Sequence, residues 1–141
     1  MKLKFLLLSL FVVLSIVSCS IEDDGPQIAY SAAKVVEVNM PDTLDFGTTH
    51  IVTLKIEKPA ECFVFSGFEV IPTLNERTVT PVLVYNANDC FAENNPNNVI
   101  EEEVNLNFIA ASNGSYVFKF FNGLDADGLP TYIEMTVPVR E

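Results

Sequence analysis

Among 141 residues there is one histidine, His50, and therefore one imidazole available as a general base. Acyl transfer of the serine–histidine–carboxylate kind sets that ring between a nucleophilic hydroxyl and an orienting carboxylate. The sequence contains no Gly-x-Ser-x-Gly elbow, and no serine or carboxylate is spaced from His50 as its partner. Its expected place is the surface, at the start of a strand. The run Glu101-Glu102-Glu103 is dense in carboxylates, but neighbours on a strand point to opposite faces, which spreads them instead of pairing them for acid–base work. A solvated strand end that discourages edge pairing is the expected role. Asp125-Ala126-Asp127-Gly128 begins as a calcium loop begins, with carboxylates at alternate positions. The later oxygen ligands are missing, and Asp-Gly is ordinary turn chemistry. No catalytic residue, metal site or cofactor is expected from these groups, and the chain is expected not to be an enzyme.

The N-terminus says where such a chain works. Lys2 and Lys4 precede an apolar run over 5–17, which as a helix spans roughly 20 Å, short of the ~30 Å hydrocarbon core of a bilayer. That pattern predicts a signal peptide over 1–18. It closes on Ile16-Val17-Ser18-Cys19, which resembles the bacterial lipobox: a branched aliphatic, two tolerated residues, then the cysteine that is acylated. The resemblance implies cleavage before Cys19 and lipid on its thiol, each buried CH₂ contributing about 0.8 kcal/mol to membrane anchoring. Ser20, Ile21, Glu22, Asp23 and Asp24 follow as an acidic cluster, similar to the export signal of Bacteroidota surface lipoproteins. This likeness implies an outer-membrane lipoprotein facing the cell surface; a plain flexible tether over 19–27 is the other use of the same charges. Asp42-Thr43-Leu44 matches the short O-glycosylation motif of those bacteria, which would put a glycan on Thr43.

Cleavage leaves 123 of the 141 residues, enough for one domain with a core, expected over 28–141. Lys2 and Lys4 leave with the leader, taking the formal charge from −11 to −13. So acidic a surface repels phosphate backbones, which argues against nucleic acid as a partner, and repels anionic headgroups, which leaves membrane contact to the lipid anchor. With Cys19 acylated, Cys62 and Cys90 remain as a pair suited to a disulfide outside the cytoplasm. In the chain-entropy picture that bond stabilises the fold by about 3.6 kcal/mol. Free thiols acting as metal ligands or nucleophile are the competing use.

The elements that must position these groups are strands. Period-two alternation over 33–38, 50–57, 62–71, 78–85, 103–108, 116–121 and 132–139, broken by turn residues, predicts about seven of them. Val52, Leu54 and Ile56 fall on one face, as do Val104, Leu106 and Phe108, and Ile133, Met135, Val137 and Val139. The segment 62–71 is apolar on both faces and is expected at the centre of a sheet. Pro81 argues for an edge or a bulge in 78–85. Folding a hairpin about Pro72-Thr73-Leu74-Asn75 brings Cys62 opposite 86–90, so a disulfide would close its open end. The polar stretch 86–98 is long for a connection, and its Phe91 is expected to cover that disulfide. The expected fold is all-β: a single antiparallel β-sandwich after a signal peptide and short acidic tether. Gly114-Ser115-Tyr116-Val117-Phe118-Lys119-Phe120 resembles the penultimate strand of Ig-like and fibronectin-like domains, though the core tryptophan of immunoglobulins is absent. A small up-and-down barrel is the alternative.

With eleven phenylalanines, four tyrosines and no tryptophan, the chain has material for a core and little for stacking sugars. A non-catalytic binding or accessory module, with an outer-membrane protein as partner, is the expected function; a carrier or receptor for a small apolar ligand or glycan is the alternative. Replacing the lipobox cysteine (Cys19→Ala) is expected to move the protein from the membrane fraction to the soluble fraction of lysed cells. Continued sedimentation with membranes would overturn the anchor.

Overall fold

The computed structural model describes residues 25–90 and 99–141; the leader, Cys19, the acidic residues Ser20, Ile21, Glu22, Asp23 and Asp24, and Phe91 lie outside them. Nine strands and no helix form the described residues. In chain order they are β1 (Ile28–Ala32), β2 (Lys34–Asn39), β3 (Leu44–Asp45), β4 (Thr49–Lys58), β5 (Val64–Thr73), β6 (Glu76–Asn86), β7 (Ile100–Ile109), β8 (Ser115–Leu124) and β9 (Pro130–Arg140). They build two sheets. One runs β2–β4–β7; the other runs β1–β6–β8–β9–β3, with β5 also paired to β6.

The apolar alternation read from the sequence decides what lies between the sheets. Val52, Leu54 and Ile56 of β4 and Val104 of β7 are buried, facing Val79 and Leu83 of β6, Tyr116, Phe118 and Phe120 of β8, and Val137 of β9. Phe108 meets both Tyr116 and Phe118 edge to face, each at 4.9 Å between ring centroids, while Phe118 and Phe120 stack at 5.8 Å. Such offset and perpendicular contacts suit the ring quadrupoles and add to the area that the rings bury. Leu106, Ile133, Met135 and Val139 pack partly buried against this cluster.

Several expectations need correction. There are nine strands where seven were expected, because Ile28–Ala32 forms a strand ahead of the expected 33–38 and Leu44–Asp45 adds a short one after it. Ala33 is the crossing point: it is buried, its amide donates to the Pro81 carbonyl at 2.9 Å, and the chain then joins β4 as β2. The sheets are not purely antiparallel, since β6 pairs β8 and β3 pairs β9 in parallel. They also stay open instead of closing into a barrel.

The expected places of β5 and β6 are exchanged. Among the described residues β5 pairs only with β6 and is an edge, whereas β6 touches three strands. Residues 76–79 of β6 face β8, and residues 82–86 face β1. Pro81 sits at the seam where one neighbour ends and the other begins. In an extended strand the N–H and C=O of one residue point the same way. The Pro81 carbonyl accepts from Ala33, so its missing N–H points toward that seam and breaks no bond to β5. A proline is tolerated inside a central strand for this reason.

Between β7 and β8 the chain changes sheet around a buried tyrosine. The Tyr116 hydroxyl accepts from the amides of Ala111 at 3.1 Å and Ser112 at 3.0 Å, and lies 2.7 Å from Ser112 Oγ. Burial raises the phenol pKa, but the hydrogen bonds from Ser112 and Ala111, with Arg77 nearby, outweigh it and hold the group below its ordinary value. Tyr116→Phe keeps the ring and leaves two amides without their acceptor. Unfolding free energy is expected to fall by about 1–3 kcal/mol, read as a lower urea midpoint at unchanged slope. An unmoved midpoint would show that the corner is held by packing alone.

Candidate functional site

The β5–β6 hairpin is locked at both ends. At its open end Cys62 and Cys90 form a disulfide with Cα atoms 5.7 Å apart, just beyond the pair Val64↔Val84. At the other end Thr73 pairs with Glu76, so that Leu74 and Asn75 make a two-residue turn. Leu74 has φ of +54°, a left-handed conformation that costs a branched apolar residue where glycine or asparagine would be easy. Its neighbours hold it there. Arg77 Nη1 donates to the carbonyls of Leu74 at 2.9 Å and Glu76 at 2.7 Å. Its guanidinium lies 5.0 Å from the centroid of the Tyr116 ring. Asn75 accepts from the Val117 amide at 3.0 Å and donates through Nδ2 to the Ser115 carbonyl at 3.1 Å. A strained, well-anchored turn thus presents a leucine side chain that is 93% exposed.

Next to this tip lies the edge of β5 that no other strand among the described residues covers. Phe65 and Phe68 turn inward and meet edge to face at 5.0 Å, while Val70 at 39% and Ile71 at 52% exposure are left in solvent. The ladder slips between Phe65 and Gly67, and Gly67 takes φ of +143°, so a bulge interrupts the edge there. A depression of about 410 Å³ opens beside the bulge, lined by Ser66, Gly67, Phe68, Glu69 and Val82. The pattern of the sequence located this strand and its turn. It missed the edge position, because apolar residues on both faces are shared by central strands and by edges that expect a partner.

His50 stands at the start of a strand as expected, but it is half-buried instead of lying on the surface. Gly47, with φ of +72°, folds the chain back so that Thr48 Oγ1 lies 2.8 Å from His50 Nε2. That spacing is the one a hydroxyl nucleophile and its base require. However, Nε2 already accepts the Asp45 amide at 2.9 Å, and Thr48 Oγ1 donates to the Asp45 carbonyl at 2.9 Å. The Asp45 carboxylate takes Arg140 Nε and Nη2 at 2.9 and 2.6 Å and does not orient the ring. The group acts as a clasp between β3, β4 and β9. Its sequence signal was the glycine five residues after Pro41-Asp42, which permits the reversal.

The carboxylate run is divided among lysines. Glu101 lies 3.9 Å and Glu37 3.0 Å from Lys55 Nζ on the outer face of the three-stranded sheet, and Glu102 pairs with Lys58 at 2.6 Å. The hydrogen bond and charge of Glu37, with Glu101 and Glu103, raise Lys55 above its ordinary 10.5. Whatever this adds to stability is present at neutral pH and is lost as pH climbs through the raised value. Beside Lys55 is a second depression of about 260 Å³, lined by Glu37, Asn39, Thr53, Lys55 and Glu103. Asp125 Oδ1 accepts the amides of Asp127 and Leu129, both at 2.9 Å, which accounts for the Asp-Gly turn. Thr43 is half-buried beside the fully buried Leu44, away from the hairpin. Cys19 and the acidic cluster fall outside the described residues. Among the latter, no group of three or more histidine, cysteine or acidic side chains is set to hold a metal ion.

No protein-family model, curated protein or solved structure matches this chain. Its hairpin tip therefore stands on its own geometry. Leu74→Asn relieves the left-handed strain without touching the core and is expected to raise unfolding free energy by about 1 kcal/mol. A fall in thermal midpoint would show instead that the leucine side chain stabilises the fold.

Proposed function

We propose that the chain is a non-catalytic binding or accessory module, anchored to the outer membrane through lipid on Cys19 and facing the cell surface in the manner of Bacteroidota lipoproteins. The lipobox-like 16–19 and the acidic residues that follow support the location. On this reading a protein partner docks on the β5–β6 hairpin. The observation that carries it is the tip: Leu74 is strained and 93% exposed, and its turn is held in place through Arg77 and Asn75.

An Ig-like assignment of the sandwich draws on Tyr116, whose hydroxyl returns to Ala111 and Ser112 as in the tyrosine corner of such domains. The parallel β6–β8 pair stands against a close relationship. The carrier alternative has weaker support. Phe118 and Phe120 fill the interior, and the depression around Lys55 has polar walls with no aromatic ring to stack on a sugar.

Chemical crosslinking on intact cells, followed by isolation of the tagged chain and mass spectrometry, is expected to return one recurrent outer-membrane protein. Recovery of the bare chain, with surface labelling proving that it was exposed, would defeat the module reading and leave glycan and small-ligand screens to test the carrier.

A further inference from the structure

We infer that the β5 edge takes up a short, basic, extended segment of the partner protein as an additional strand; this rests on the module reading. The ladder fixes which groups are on offer. Because the Pro81 carbonyl turns away from β5 to meet Ala33, the pair Phe68↔Pro81 exchanges no hydrogen bonds across the hairpin. The backbone N–H and C=O of Phe68 therefore point outward, to the side that no strand among the described residues covers. Alternation gives the same direction to Val70, two residues on, and to Pro72, which supplies only a carbonyl. Two donors and three acceptors thus line the edge between the Gly67 bulge and Pro72. The bulge and the proline are devices that limit strand pairing, and between them they leave a window for roughly four or five residues of a partner.

Charge selects the occupant. Between Lys58 and Arg77 the chain carries Glu61, Glu69 and Glu76 and no lysine or arginine. Glu69 is the one ionised residue of β5 and borders the depression beside the bulge. A lysine or arginine on the added strand, next to Glu69, makes a cross-strand pair, and apolar residues alternating with it cover Val70 and Phe68. A second copy of this chain would set acidic edge against acidic edge between two strongly negative bodies, which disfavours self-pairing. Strand addition then draws its affinity from main-chain hydrogen bonds and its specificity from alternate side chains.

Val70→Pro removes one outward N–H and no hydrogen bond to β6. The probes are fluorescent seven-residue peptides alternating valine with lysine or valine with glutamate, titrated by anisotropy at physiological ionic strength. The whole chain is used as cells produce it, in mild detergent. The valine–lysine peptide is expected to bind at least tenfold more tightly than the valine–glutamate one, and Val70→Pro and Glu69→Lys each to weaken it at least tenfold. Unchanged binding by Val70→Pro, which keeps every charge, would reduce the effect to ionic attraction and overturn the proposal. A concentration-dependent dimer that excludes the peptide and is lost in Val70→Pro would overturn it in favour of self-pairing. If Val70→Pro does not fold, as judged by its thermal transition, unchanged binding by Glu69→Lys is decisive against it. In cells, a partner captured equally by wild type and Val70→Pro defeats edge pairing alone; no partner with wild type defeats the module reading as well.

Discussion

Strand β6 carries two neighbours on one side and one on the other, and the whole six-stranded sheet depends on how it divides its hydrogen bonds. Its first residues serve β8 and its last serve β1, and Pro81 lies where the two meet. The division has two effects. It sends the chain across at Ala33 to begin the second sheet, and it places Val79 and Leu83 against Phe118 and Phe120 in the interior. A residue with an N–H at position 81 would have to find that group a partner between two strands, one of which is ending.

Much of this was legible in residue order. The inward sets on β4, β7 and β9 follow from period-two alternation, since each has one face on the core and the other in water. The hairpin turn and the cysteine partners also follow, because a two-residue turn fixes the register of everything behind it. What could not be read was neighbourhood. Apolar residues on both faces of β5 and a proline in β6 suggested centre and edge in the wrong order. A proline is excluded only from the side where an N–H is needed, and the sequence does not tell which side that is. Likewise the alternation over 33–38 located β2 but not β1 before it, and the change of sheet at Ala33 is marked by no glycine or proline.

The candidate surface was less legible than the fold. Leu74 stood in the predicted turn as one residue of four, and only its positive φ and the ties from Arg77 and Asn75 distinguish it. His50 illustrates the opposite case. A hydroxyl within hydrogen-bond distance of the lone imidazole could be taken for the start of a catalytic pair, yet the Asp45 amide already occupies the nitrogen that would have to act as base.

The N-terminal approach to the domain has a mechanical meaning. The Ala87 amide holds the Gln27 carbonyl at 2.8 Å, so the chain arrives beside the disulfide-closed end of the hairpin, and Leu74 lies at the opposite end of β6. Eleven residues at ~3.4 Å each set those ends roughly 37 Å apart. Suppose tension acts between an anchor at Cys19 and a partner at the tip. It pulls β1 and β6 lengthwise in opposite directions, and their hydrogen bonds lie across that axis. Every bond of the β1–β6 ladder then bears load together instead of parting one after another. The domain is loaded in shear, the direction in which a paired strand is hardest to remove, and the disulfide keeps the force from opening the hairpin behind it.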